Sequence, residues 1–254
     1  MAFAGQWAPP PAGAKFPVVP KPCFQMADPA QRSACLEHVV RDWPRLERYA
    51  AANAALAVPA KGERRVVFMG DSITDFWSKP AAGAFFPGKR YVNRGISSQT
   101  TGQMLLRFRA DVIALAPRAV VILAGTNDIA GNGGPMTPDA IQNNLASMAE
   151  LARSHRIGVV LASLLPVCDC KAGPDGKPIQ RTQDRPHQSI AAINKWIADY
   201  AKKNRFVHLD YHRALADQAG AIKAELTDDG LHPNAAGYAV MGPMAEKAIA
   251  AVVR

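Results

Sequence analysis

Four short stretches hold side chains that could act on one another: "GDSIT" at 70–74, "NRGISSQTT" at 93–101, "GTNDI" at 125–129 and "DGLHPNAAGY" at 229–238. Ser72 follows the apolar run Val66–Met69, so a small hydroxyl stands where a strand ends. In that place a serine is a helix cap, a phosphate-binding hydroxyl or a nucleophile. A nucleophilic serine needs a base, normally His, and an acceptor that orients the base. It also needs donors already aimed at the oxyanion formed on attack. The four stretches supply each part. Ser72 would attack, His232 would take its proton, and Asp229 would accept from the other ring nitrogen. The Ser72 and Gly95 N–H groups and the Asn127 amide would converge on the oxyanion. Asp71 and Asp128 are expected to hold the loops that aim Ser72 and Asn127.

Each stretch taken alone has a plainer explanation. Gly-Asp-Ser suits a helix start, Gly95 a turn, "GTND" a loop whose side chains bond their own backbone, and "DGLHPN" a helix entry capped by Asn234. Taken together they fall at strand ends, in order, and complete one mechanism.

The elements that must position these residues follow from periodicity. Apolar, β-branched runs at 66–69, 90–93, 119–124, 157–163 and 206–210 read as five strands. Helical patterns separate most of them. Residues 138–153 start after Thr137 with Pro138 at the first helical position, and Ile141, Leu145, Met148 and Leu151 recur on one side. Residues 187–203 and 235–252 repeat the pattern. Alternating strands and helices imply right-handed βαβ units and a parallel sheet covered on both faces. A helix over about 36–57, irregular at Pro44, lies outside that repeat. Residues 1–31 are rich in proline and read as an extended arm, and the Gly/Pro-rich loop 166–186 is expected to border the site.

The four stretches resemble, in the same order, blocks I, II, III and V of the SGNH (GDSL-type) hydrolases, with a likeness to bacterial acylhydrolases similar to platelet-activating-factor acetylhydrolase subunits. The resemblance covers about 66–250 and implies a flavodoxin-like, three-layer α/β/α sandwich on a five-stranded parallel sheet, within a single hydrolase domain of 32–254. It gives Ser72, His232 and Asp229 the triad roles, and Ser72, Gly95 and Asn127 the oxyanion roles. The proline-rich arm and the cysteine-containing loop depart from the family pattern. An α/β-hydrolase fits less well, because Thr74 stands where its Gly-x-Ser-x-Gly elbow needs the second glycine.

Composition bounds the alternatives. The formal net charge of +9 is spread without a basic block, so no nucleic-acid partner is expected. No apolar run is long enough to span a bilayer. Cys23, Cys35, Cys168 and Cys170 permit two disulfides in any of three connectivities. Their spacing is a poor match to zinc ligands, which favours disulfides and a periplasmic or secreted location, with the signal peptide removed, over a cytoplasmic one. His208, Asp210 and His212 alternate as metal ligands would, yet a strand end with satisfied polar groups explains them better, and no metal or cofactor is expected. The expected partner is a small ester or acetylated carbohydrate. The absence of an apolar lid segment points to short acyl groups. A lysophospholipase or thioesterase is the nearest alternative, and a non-catalytic carbohydrate- or phosphate-binding module the alternative of another class.

Overall fold

The apolar runs become five parallel strands, β1 (Val66–Gly70), β2 (Tyr91–Gly95), β3 (Ala119–Leu123), β4 (Gly158–Ala162) and β5 (Val207–Leu209), in the order β2-β1-β3-β4-β5. The computed structural model describes Cys23 and residues 26–253. Its helices are α1 (Pro29–Arg41), α2 (Ala50–Ala55), α3 (Ser72–Phe76), α4 (Thr101–Asp111) and α5 (Thr126–Ile129), followed by α6 (Pro138–Ser154), α7 (Arg181–Asp184), α8 (His187–Asn204), α9 (Tyr211–Leu215) and α10 (Ala235–Val252).

The strands read as unbroken apolar runs because both sheet faces are covered. Side chains alternate along each strand. Val67, Met69, Val120, Ile122 and Val159 turn to one layer, built by α4, α6 and α8, whose Phe108, Ile141, Leu145 and Ile193 pack there. Val66, Phe68, Val121, Leu123 and Val160 turn to the other, with Ile73 of α3, Leu215 of α9 and Met241 of α10. That second layer holds a ring cluster in which Phe68 contacts Trp77, Phe85, Phe86 and Tyr91, and Trp77 stacks on Tyr238 at 5.0 Å. The Tyr238 hydroxyl donates to the Ile73 carbonyl at 2.7 Å, so α10 pins the start of α3.

The N-terminal helix differs from its sequence expectation of 36–57. It starts earlier because Asp28 Oδ1 accepts from Ala30 N–H at 2.8 Å, with Pro29 in the first helical position. It breaks before Pro44, which has no N–H and disfavours helical backbone in its predecessor. Asp42 then starts the chain again by accepting from Leu46 and Glu47 N–H, giving a 3₁₀ turn (Leu46–Tyr49) and α2. Of the proline-rich arm expected over 1–31, residues 1–22 and 24–25 lie outside the described residues, while Pro29 to Gln31 already belong to α1. Disulfides join Cys23 to Cys35 and Cys168 to Cys170. Among the described residues no helix is long and apolar enough to cross a membrane.

Candidate active site

β1 and β3 are neighbours whose chain connections leave the sheet in opposite directions, which opens a crevice at their carboxyl ends. Ser72 follows β1 and Asn127 follows β3, so both face that crevice. The cap of α3 belongs to Asp71, whose Oδ1 accepts from Ile73 N–H at 2.9 Å. Of the roles open to Ser72 in the sequence, the side-chain cap is thus taken by its neighbour, which leaves the Ser72 hydroxyl for another partner. That partner is His232: Ser72 Oγ lies 2.9 Å from Nε2 across 160 residues of chain. His232 Nδ1 lies 2.7 Å from Asp229 Oδ2. A carboxylate accepts, so Nδ1 donates to it and Nε2 is left to accept the serine proton.

Local structure fixes the acid as firmly as the base. Asp229 Oδ1 accepts from the N–H groups of Leu231 at 3.0 Å and His232 at 2.8 Å. Gly230 lies between them with φ of 79°, a turn that other residues rarely adopt, and a Cβ there would run into the Cys168 carbonyl. Burial raises the proton affinity of Asp229, but hydrogen bonds from the His232 ring and from the backbone outweigh it and hold this carboxyl well below the usual range. The carboxylate therefore stays ionised beside the imidazole.

Asn127 is buried and its amide is oriented from both ends. Nδ2 donates to the Gln99 carbonyl at 3.1 Å, while Oδ1 accepts from Asn132 Nδ2 at 2.9 Å and Arg185 Nη2 at 3.3 Å. One Nδ2 hydrogen remains for a ligand. Gly95 is different. Its N–H donates to Asn93 Oδ1 at 2.8 Å, its carbonyl accepts from Tyr49, and a Cβ would collide with the Asp75 backbone. Gly95 is thus a close-packing glycine between β2 and α3, and its N–H is occupied. The turn beyond it holds Ser98 at φ of 69°, with no protein acceptor for its N–H among the described residues. Ser97 Oγ donates to Asp75 Oδ2 at 2.6 Å on one side, and Gln99 meets Asn127 on the other.

The supporting carboxylates and cations lie behind this front. Asp128 accepts from Thr101 N–H and from its hydroxyl, joining the α5 loop to the start of α4. Burial pushes Asp128 up to about 6 against those hydrogen bonds, and it pushes Asp71 up to about 6 as well, where one carboxylate oxygen has no hydrogen-bond partner. Arg107, wholly buried, donates to Gln99 Oε1 at 2.5 Å, Asp111 Oδ2 at 2.8 Å, and the carbonyls of Gly70 at 3.1 Å and Arg94 at 2.9 Å. It ties the end of β1 to the turn after β2. Residues 166–186 border the site as expected, through Arg181 and Arg185. Neither arginine stands out in the sequence, because their partners lie 48 and 58 residues away.

Of the alternating His208, Asp210 and His212, the last two have local partners, whereas the expectation of satisfied polar groups fails at His208. Asp210 caps α9 by accepting from Arg213 N–H, His212 N–H donates to Ser163 Oγ, and His208 keeps Nε2 buried without a partner. Among the described residues no group of three or more His, Cys, Asp and Glu is arranged to hold a metal ion. His187 Nε2 donates to the Val167 carbonyl at 3.0 Å, which anchors the loop.

Comparison with known proteins gives a consistent context. Residues 68–240 match the GDSL-like Lipase/Acylhydrolase family. A GDSL-like lipase from Bacteroides thetaiotaomicron superposes with a TM-score of 0.74 at 42% identity, over 82% of this chain and 98% of that one. The uncharacterized lipoprotein YqeF of Bacillus subtilis is 35% identical over 144 residues, 56% of this chain, and the match spans 55% of that relative's length. An acetylxylan esterase of Geobacillus stearothermophilus is 25% identical over 207 residues, 70% of this chain and 90% of that protein.

Proposed function

The chain belongs to the GDSL-like lipase/acylhydrolase family, and on that premise we propose that it is a serine esterase of short-chain, chiefly acetyl, carboxylic esters. The observation that carries the reading is the continuous relay of Ser72 Oγ to His232 Nε2 at 2.9 Å and His232 Nδ1 to Asp229 Oδ2 at 2.7 Å. Ser72 Oγ attacks the acyl carbonyl as its proton passes to Nε2. The tetrahedral oxyanion is held by the Ser72 N–H, the free Nδ2 hydrogen of Asn127 and the Ser98 N–H, the last in place of Gly95. When the intermediate collapses, His232 gives its proton to the departing alcohol and an acyl-Ser72 ester remains. Water then attacks that ester with His232 again as base, and the carboxylic acid leaves. Asp229 stays ionised throughout and stabilises the imidazolium. No step uses a metal or an organic cofactor.

The neighbouring space on the His232 side of the site supports a small group there. A cavity of about 230 Å³ beside His232 is lined by Phe76, Lys79, Asp228 and Asn234. That is below the roughly 300–1,000 Å³ of pockets for drug-sized ligands. The acetylxylan esterase relative favours an O-acetylated carbohydrate as the alcohol side. The lipoprotein relative and the two disulfides favour an extracytoplasmic location.

The test is a panel of esters graded by acyl length and including sugar acetates, run with wild-type protein and Ser72→Ala. Acetyl esters should be hydrolysed fastest, and Ser72→Ala should lower kcat by more than about 10³-fold. Equal rates in the two proteins would refute the nucleophile, and a preference for long acyl chains would refute the substrate class.

A further inference from the structure

The relay proposed above makes no use of Arg181, yet among the described residues its side chain lies within hydrogen-bond distance of the acid. Arg181 opens α7, and its guanidinium meets Asp229 twice: Nη2 donates to Oδ2 at 2.8 Å and Nε to the main-chain carbonyl at 2.9 Å. Oδ2 is also the oxygen that His232 Nδ1 approaches, so the cation and the imidazole share one acceptor. Backbone N–H groups occupy Oδ1. The segment bearing Arg181 is itself anchored. Asp169, enclosed by the Cys168–Cys170 disulfide, accepts from the N–H and hydroxyl of Thr182, and Cys168 N–H donates to the Gly230 carbonyl.

We propose that Arg181 is a positioning residue of the catalytic relay, which clamps Asp229 by side chain and main chain and whose charge opposes protonation of His232. The inference rests on the serine-esterase reading. The charges around His232 come from several elements: Asp229 and Asp228 from its own turn, Asp71 from the end of β1, Lys79 from beyond α3, and Arg181 from α7 on the shared Asp229 oxygen, with Arg185 further back beside Asp71 and Asp229. Deleting Arg181 leaves this set more negative by one charge and frees a lone pair of Asp229 Oδ2. Both changes favour the imidazolium. Because the base must be neutral to accept the serine proton, the acid limb of the pH–rate profile then moves to higher pH. A purely structural arginine would lower the plateau and leave the limb where it was.

The experiment compares kcat/KM for p-nitrophenyl acetate across pH in the wild type, Arg181→Gln, Arg181→Met and Arg181→Lys. Each rate is normalised to the serines that react with a fluorophosphonate probe, so that misfolded protein does not count. Gln and Met remove the charge; Lys keeps it but loses the planar fork. The acid limb of either uncharged variant should move up by about 0.5–1 pH unit, a loss of about 3–10-fold at pH below it. Arg181→Lys should keep the wild-type limb with a lower plateau. An uncharged variant that titrates with the wild type, or toward lower pH, overturns the proposal, and either one suffices if the other does not fold. The outcomes separate from those of the underlying reading. An unmoved limb with an inactive Ser72→Ala removes Arg181 alone, whereas an active Ser72→Ala removes the serine-esterase reading itself.

Discussion

Two arginine–aspartate pairs flank the catalytic crevice at the same separation, 2.8 Å, in opposite surroundings. Arg107 and Asp111 are 0% and 1% exposed, whereas Arg181 and Asp229 are 25% and 32% exposed. The buried guanidinium has four acceptors, two of them main-chain carbonyls, so it holds the shape of the backbone under Ser72 and the turn at Ser98. The partly exposed one holds a single residue, Asp229, the acid of the proposed relay. Equal distance therefore does not mean equal duty. A cation sealed from water must be fully satisfied and is tied to stability, while one at the rim is screened and remains available to adjust chemistry.

The comparison breaks first on the buried side. Arg107→Met leaves Asp111 in the interior without its guanidinium, with the Asn53 amide still on its other oxygen, and should cost about 3–5 kcal/mol in urea unfolding, with Arg107→Met/Asp111→Leu recovering part of it. A single variant as stable as the wild type would show that the buried pair supports nothing. Next comes Asn127, oriented by Gln99 on one end of its amide and by Asn132 and the buried Arg185 on the other. Asn127→Ala should reduce kcat by about 10²–10³-fold with little change in KM, because the lost donor acts on the oxyanion. A loss confined to KM would place the amide on the ground-state substrate.

The smallest effect concerns Asp128, pushed up to about 6 mainly by burial. A carboxyl that binds its proton more tightly when folded favours the fold below its unfolded value near 4, and that stability is lost as pH rises toward 6. Asp128→Asn removes this dependence and should flatten the melting-temperature profile between about pH 4 and 6, by no more than about 1.4 kcal/mol per pH unit. Asp229, held low, acts in the opposite sense and destabilises the fold only as pH falls further. An unchanged profile in Asp128→Asn would mean that Asp128 is ionised throughout that range.

The same contrast explains what could be read from the sequence. Strands buried on both faces announce themselves as apolar runs; Ser72 and Asn127 stand at predictable strand ends, because the architecture sends functional groups there, while Asp229 and His232 stand in the turn before α10. Gly95 misled because a glycine at a strand end looks alike whether its N–H faces a ligand or its Cα abuts a neighbouring helix. The sequence offers Ser72 as the cap of α3, whereas the adjacent Asp71, an equally good cap, supplies it. Pro44 marked an irregularity, but the early start at Pro29 depended on how Asp28 turns its side chain. Arg181, Arg185 and Arg107 could not be selected from the 30 Lys and Arg residues, since an arginine carries no local sign of a partner dozens of residues away.

The pin between Tyr238 and Ile73 has a consequence for the order in which the molecule is made. Those residues are 165 positions apart, and Ser72 and His232 are 160 apart. A ribosome delivers Ser72 with the first strand of the sheet and His232 only just before α10. Loop closure over such a span comes late in folding, after local helices and neighbouring strands have formed. On the serine-esterase reading, the Ser72 hydroxyl stays without its base until α10 docks and closes the aromatic layer over α3.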